Sequence, residues 1–158
     1  MTDRVGEPGR LNPGAVGEAV LRRVHAPSVA GDLVDVHERT ASTAYVHIFE
    51  DAFPRADALA RWSRHLGPAV LAAVGGEPVG FAAADGRMLE ALYVLPAHHG
   101  RGIGSALLQA VGPVDRLWVL EANTVGRAFY ERRRWRWSGQ RRAGLEAGGV
   151  PEMLYLLD

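Results

Sequence analysis

The sequence predicts an α+β domain built on a mostly antiparallel sheet, and three observations carry that expectation. Apolar runs at 69–74, 79–84 and 88–95 are separated by Gly75-Gly76-Glu77 and by Asp85-Gly86. Asp-Gly between two such runs is a strong hairpin signal, so these runs read as a three-stranded meander. Helical spacing flanks the meander, with Val29, Leu33 and Val36 before it and Ile103, Ala106, Leu107, Ala110 and Val111 after it. The second half then alternates strand, helix, strand and helix, with a closing strand at the C-terminal end.

Each element has its own signal. Residues 1–17 hold Gly6, Pro8, Gly9, Pro13, Gly14 and Gly17 with few apolar anchors. They read as a flexible N-terminal tail, leaving 18–158 as the folded domain. Residues 19–24 form a first strand, and Pro27-Ser28 open the first helix. A second helix follows Pro54, with Leu59, Trp62 and Leu66 on one stripe, and ends at Gly67-Pro68. Between these helices, Tyr45-Val46-His47-Ile48-Phe49-Glu50-Asp51 fits neither period. This aromatic, acid-bearing segment is the expected wall of a substrate pocket, with Tyr45, His47 and Glu50 as candidate substrate contacts. The helix over Ile103 stops at Gly112-Pro113, and 117–120 is a further strand. Asn123 caps a helix carrying Val125, Ala128 and Phe129, and 153–157 closes the sheet.

Composition narrows the function classes. The chain has 158 residues, which suits one domain, and its 18 basic residues, all arginine, balance 18 acidic ones. Zero net charge argues against a dedicated polyanion binder, so no nucleic-acid partner is expected. Absence of cysteine excludes a disulfide framework, a thiolate metal site and a cysteine nucleophile. No apolar run reaches the ~18 residues needed to span a membrane, and no secretory apolar core is seen near residue 1. The expectation is a cytoplasmic domain without metal or membrane contact; homodimerisation is left open.

The chemistry concentrates at Leu92-Tyr93-Val94-Leu95-Pro96-Ala97-His98-His99-Gly100-Arg101-Gly102-Ile103-Gly104-Ser105. A strand leads into alternating glycines, and these open a helix. Glycine lets an anion approach the main chain, and the unpaired N–H groups of a first helical turn form an anion site. A phosphate or pyrophosphate binder is implied. It is not the nucleoside-triphosphate loop, because Ser105 follows Gly104 without a lysine. Nor is it the dinucleotide fingerprint: counted from Gly102 its last glycine falls on Leu107, and from Gly100 on Ser105.

The run Leu92-Tyr93-Val94, His99-Gly100-Arg101-Gly102-Ile103-Gly104, Ala106-Leu107-Leu108 resembles the acetyl-CoA motif of the GNAT N-acetyltransferase superfamily. A second block, 117–120, then Glu121-Ala122-Asn123, then Arg127-Ala128-Phe129-Tyr130-Glu131-Arg132, resembles that family's later asparagine and Phe-Tyr motif. The close match covers about residues 79–137. Two departures stand out. His99 replaces the usual glutamine or arginine, and Arg134, rather than the frequent glycine, precedes the aromatic Trp135, which implies a different exit from that helix.

The resemblance implies a three-layer GNAT-like fold: a central mixed, mostly antiparallel sheet with splayed middle strands and flanking helices. It also implies acetyl-CoA as co-substrate and direct transfer to a primary amine. Main-chain groups of Leu92 and Val94, beside Tyr93, would hold the pantetheine arm. Amides of residues 100–105 (Gly100, Arg101, Gly102, Ile103, Gly104, Ser105) would take the pyrophosphate, with His99, Asn123, Phe129 and Arg132 or Arg133 as further cofactor contacts. Tyr130 matches the family tyrosine that protonates the departing thiolate, or is an amphipathic tyrosine on a helix face. Glu90 is read on one strand face with Met88, Leu92 and Val94, as either the general base or a structural ion pair with an arginine. Tyr45, His47, Glu50, His98 and His99 are alternative bases. The acceptor site is expected between residues 40–55 and the 144–152 loop. The arginines 127, 132, 133, 134, 136, 141 and 142 read mostly as a solvated face. Two competing functions stay open: a non-catalytic acyl-CoA sensor or scaffold, and an arginine-rich RNA or DNA binder.

Overall fold

A computed structural model describes residues 14–44, 52–144 and 149–158. Its strands are β1 (Ala15–Val16), β2 (Ala19–Arg23), β3 (Ala69–Val74), β4 (Glu77–Asp85), β5 (Met88–Val94), β6 (Arg116–Leu120), β7 (Trp135–Ala143) and β8 (Pro151–Leu157). Its helices are α1 (Ala30–Ala44), α2 (Arg55–Arg64), α3 (Ile103–Ala110) and α4 (Thr124–Glu131). The strands make one mixed sheet in the order β1-β2-β3-β4-β5-β6-β8-β7. Neighbours are antiparallel except β5 and β6, which run parallel.

Helices cover both faces, giving three layers. Successive strand residues point to opposite faces. The Tyr93 ring stacks on His37 of α1, while the Val94 side chain lies by Gly104 of α3. α1 and α3 therefore lie on opposite faces, and α4 joins α3 through the contact of Phe129 with Gly104. β4 carries six consecutive buried residues, 79–84, as a central strand covered on both faces must. Trp62, Phe81, Leu33, Leu71 and Leu107 sit at the centre of the core.

The turns follow their glycines. Gly75 and Gly76, both at positive φ, join β3 to β4 between paired Val74 and Glu77. The β4–β5 hairpin forms where expected, but its loop is Gly86-Arg87, and Asp85 still pairs with Met88. α4 is fixed to the sheet by a partly buried polar link. The Tyr155 hydroxyl donates to Glu131 Oε1 at 2.6 Å and accepts from Arg127 Nε at 3.1 Å. Burial, then the Glu131 contact, pushes the Tyr155 phenol above its ordinary pKa.

Four expectations are corrected. Ala15 and Val16, read with the N-terminal tail, instead pair with Val20 and Ala19 as β1. The α2 stripe is Ala58 and Trp62; Leu59 is partly exposed, and Leu66 lies beyond the helix in solvent. Residues 135–143, where the sequence reading places no strand, form β7, and the arginine-rich face read there is indeed mostly exposed to solvent. Its arginines have partners: Arg136 with Asp158, Arg141 with Glu121 and the Trp137 ring, and Arg142 with Glu152 and the Trp118 ring. Finally, Arg134 makes the glycine-like exit from α4 itself, at φ +73°.

A non-glycine residue in that region is strained. Arg134→Gly is therefore expected to stabilise the domain by about 1 kcal/mol, read by urea unfolding. An unchanged midpoint would show that the strain is already offset in the native structure.

Candidate functional site

β5 and β6 pair at only two positions, Met88 with Arg116 and Leu89 with Leu117, and then part. The β4–β5 register shifts at the same level. Ala83 pairs with Ala91 and Ala84 with Leu89, so Glu90 is the extra residue of a β-bulge. Past the bulge the Leu95 N–H donates to Val79 O on β4. By alternation the main-chain groups of Leu92 and Val94 then turn away from β4, toward the gap left by β6. A cleft of about 1400 Å³ opens there, walled by α1, β5, α3, β6 and the start of α4. The Val94 carbonyl accepts from His99 Nε2 at 2.7 Å. A carbonyl only accepts, so His99 carries its proton on Nε2.

The mouth of the cleft is the N-terminus of α3. Gly100 and Gly102 sit at φ +72° and +81°, and Gly102 is the N-cap residue. Among the described residues, no backbone carbonyl accepts from the N–H groups of Gly100, Arg101, Gly102, Ile103, Gly104 or Ser105. Those amides and the positive end of the helix make an anion cradle. Gly104 is small for a packing reason: a Cβ there would come within 3.2 Å of the Phe129 ring.

Arginine adds charge at this point. Arg133 Nε donates to Ser105 Oγ at 3.1 Å, its NH1 group donates to Phe129 O at 2.8 Å, and its guanidinium lies 3.6 Å over the Phe129 ring. Burial, then Arg132, lowers its pKa below the ordinary guanidinium value. Arg132 also lines the cleft, but Arg133 is the one anchored to the first turn of α3.

α4 supplies the opposite wall. Asn123 Oδ1 accepts from Gly126 N at 2.9 Å, so Asn123 is the helix cap as well as a cleft residue. Tyr130 is largely buried between the rings of Phe129 and Trp135, at 5.3 and 5.9 Å, and it too lines the cleft.

Glu90 lies elsewhere than expected. The bulge removes it from the strand face of Leu92 and Val94 and turns it to the α1–α2 side, where Glu90 Oε2 meets Arg61 at 3.2 Å. Arg61 also donates to the Glu90 carbonyl. The ion pair weighed against a base is thus present, on a residue that lines the cleft. His98 and His99 line it near α3. Tyr45, His47 and Glu50 lie outside the described residues.

His37 and Thr40 on α1, Trp118 on β6 and Glu152 on β8 also line the cleft; none was singled out in the sequence, although Thr40 and Glu152 stand at the limits of the 40–55 and 144–152 ranges expected to wall the acceptor site. The signal for the first two was present, since His37 and Thr40 continue the stripe of Leu33 at helix spacing. Trp118 sits between inward Leu117 and Val119, and alternation alone assigns it to the other face. Burial, then Arg61, lowers His37 to a pKa of about 4.

That shift has a defined pH consequence. The unfolded chain binds a proton at His37 near pH 6.5 while the folded one does not, so stability falls as pH drops from about 6.5 to 4. His37→Phe should remove that part of the slope, on the order of 3 kcal/mol in total, in urea unfolding measured at several pH values. An unchanged slope would place the titration elsewhere.

Known proteins share this fold. Residues 66–133 match the model of the acetyltransferase (GNAT) domain. No curated protein matches the chain. A GCN5-related N-acetyltransferase from Rhodopseudomonas palustris superposes with a TM-score of 0.69 at 21% identity, over 91% of this chain and 98% of that one. The PaiA N-acetyltransferase of Thermoplasma acidophilum, solved with coenzyme A, gives 0.63 at 17% identity, over 87% and 99%. The ribosomal-protein-S18-alanine N-acetyltransferase of Escherichia coli gives 0.62 at 18% identity, over 88% and 92%. Residues 66–133 thus resemble the GNAT acetyltransferase domain in sequence, and the described chain shares the fold of these acetyltransferases.

Proposed function

We propose that the protein is an N-acetyltransferase that moves acetyl from acetyl-CoA directly to a primary amine. The observation that carries this reading is the row of unbonded amides at residues 100–105, set at the mouth of a cleft made by two parting strands. The residues suit the co-substrate. A Cβ built on Gly100 meets nothing within 4 Å, which leaves open space beside the cradle, and Arg133 adds a cation there. The coenzyme A in the Thermoplasma acidophilum neighbour supports the same ligand.

In this scheme the diphosphate rests on the α3 amides and the pantetheine arm runs along Leu92 and Val94. The thioester then reaches the level of the bulge. The acceptor nitrogen attacks the thioester carbon, and main-chain N–H groups on the open edge of β5 stabilise the oxyanion without reorganising. Collapse breaks the C–S bond, and the Tyr130 hydroxyl gives its proton to the departing thiolate. Glu90, held through Oε2 by Arg61, takes the proton lost from the acceptor nitrogen, directly or through water. No cysteine is needed, because the acetyl group never resides on the protein.

Thiol release across a panel of primary amines tests the reaction, and turnover with at least one amine is expected. Tight acetyl-CoA binding without release on any of them would favour a sensor or scaffold. Gly102→Val should weaken acetyl-CoA binding about tenfold or more, by forcing a branched residue into positive φ beside the phosphates, while thermal unfolding stays cooperative. Unchanged affinity would count against the cradle. Tyr130→Phe should lower kcat roughly 100-fold and leave acetyl-CoA affinity nearly constant; unaltered kcat would remove Tyr130 from the acid role.

A further inference from the structure

Among the described residues, four buried side-chain polar atoms have no hydrogen-bond partner: His37 Nδ1, Thr40 Oγ1, Trp62 Nε1 and His98 Nδ1. Leaving such an atom unpaired destabilises a fold, so each one calls for an explanation. Trp62 is enclosed in the core, and His98 sits by the α3 turn. His37 and Thr40 are different. They lie three residues apart on α1, hence on one face of the helix. They are only 8% and 6% exposed, and both line the cleft.

The His37 ring is also rigidly held. It stacks on Tyr93 at 4.6 Å with 14° between the planes, and Phe53 packs edge-on at 4.8 Å. Tyr93 stands between Leu92 and Val94 but presents its ring to the opposite side of β5 from α3. The His37–Thr40 pair therefore faces the cleft from the side opposite the phosphate cradle, on the α1–α2 side that also holds Glu90 and Arg61. An ordered imidazole and a hydroxyl, desolvated and unpaired, form a preorganised polar site awaiting a partner.

We infer that His37 and Thr40 bind the amine acceptor, and that the group they recognise is an uncharged donor–acceptor group, a carboxamide a few bonds from the reacting nitrogen. This rests on the acetyl-transfer reading above and adds the acceptor class to it. The threonine hydroxyl both donates and accepts, and a neutral imidazole offers one donor and one acceptor nitrogen. Burial and Arg61 hold His37 neutral, with a pKa of about 4. A carboxylate on the acceptor would thus meet no cation from this pair, and the Arg61 cation already serves Glu90. A carboxamide satisfies both side chains without introducing charge, and an aliphatic end leaves them unpaired. The discrimination comes from that lost pairing.

The test uses the full chain loaded with coenzyme A and four amines of similar length: β-alaninamide, 3-aminopropanol, β-alanine and butylamine. Binding is read by calorimetry for the wild type, His37→Phe, Thr40→Val and the double variant. Both substitutions keep the shape and remove the polar atoms. β-Alaninamide should bind wild type best, and the double variant should lose about tenfold or more for it while butylamine affinity barely moves. Thermal unfolding of the ligand-free variants should show a raised Tm, because unpaired polar atoms have been removed. Equal or absent binding of the four amines by wild type overturns the inference, as does a carboxamide preference retained in the double variant. A lowered Tm for both single variants overturns it too, since it would mean that these atoms are bonded within the free protein. Thiol release from acetyl-CoA in the same series separates the two claims. A carboxamide preference in binding without release defeats the transferase reading alone, and release without the preference defeats this inference alone.

Discussion

The short pairing of β5 with β6 is the constraint from which the rest follows. A parallel pair inside a sheet normally satisfies its main-chain groups along its whole length. Here the ladder stops after Leu89 and Leu117, and the bulge at Glu90 bends β5 away at that level. The protein therefore keeps a strand edge without a partner strand in its interior rather than at its rim, with the Val94 carbonyl taken up by His99. Main-chain donors and acceptors in such a place, covered by helices on both faces, are suited to an extended polar ligand that completes the ladder. The pantetheine arm has that character, with amides spaced along a flexible chain.

The flanking elements divide the cleft by chemistry. On one face, α3 and α4 gather what an anion needs: six main-chain amides, glycines at positive φ, and Arg133 braced by Ser105 and Phe129. On the other face lie the His37 ring and Thr40 hydroxyl of α1, with the Glu90 carboxylate of β5 paired to Arg61 of α2. The bulge connects the two, because it turns Glu90 from the first face to the second without moving Leu92 or Val94. Two residues that are neighbours in sequence can thus serve opposite partners of one reaction. The partly buried Tyr155–Glu131–Arg127 link holds α4, and with it Tyr130 and Asn123, against the sheet.

Much of this was legible in the sequence where the signal is local. The hairpins follow from Gly75-Gly76 and Asp85-Gly86, the anion turn from its alternating glycines, and the α4 cap from Asn123. These residues act on the backbone within a few positions of themselves. The features that were not legible depend on partners distant in sequence. β7 reads as a polar arginine cluster because its pairing partners lie in β8, in Glu121 and in Asp158. β1 is two residues long, and only the edge of β2 makes it a strand. Glu90 defeats a strict alternation because a bulge inserts one residue, and no residue type in that stretch announces it. Arg134 shows the converse: the backbone at a helix exit prefers glycine, yet tertiary context holds an arginine in the same conformation.

The central claim is that the α3 amides hold the diphosphate while the arm lies on the open edge of β5. Amide NMR of the uniformly labelled protein, titrated with coenzyme A and separately with pantetheine, tests it most directly. Coenzyme A should shift the resonances of residues 100–105 together with those of Leu92 and Val94. Pantetheine should bind far more weakly and perturb only the strand pair. Shifts centred on other elements, or the same pattern at residues 100–105 from both compounds, would contradict the account.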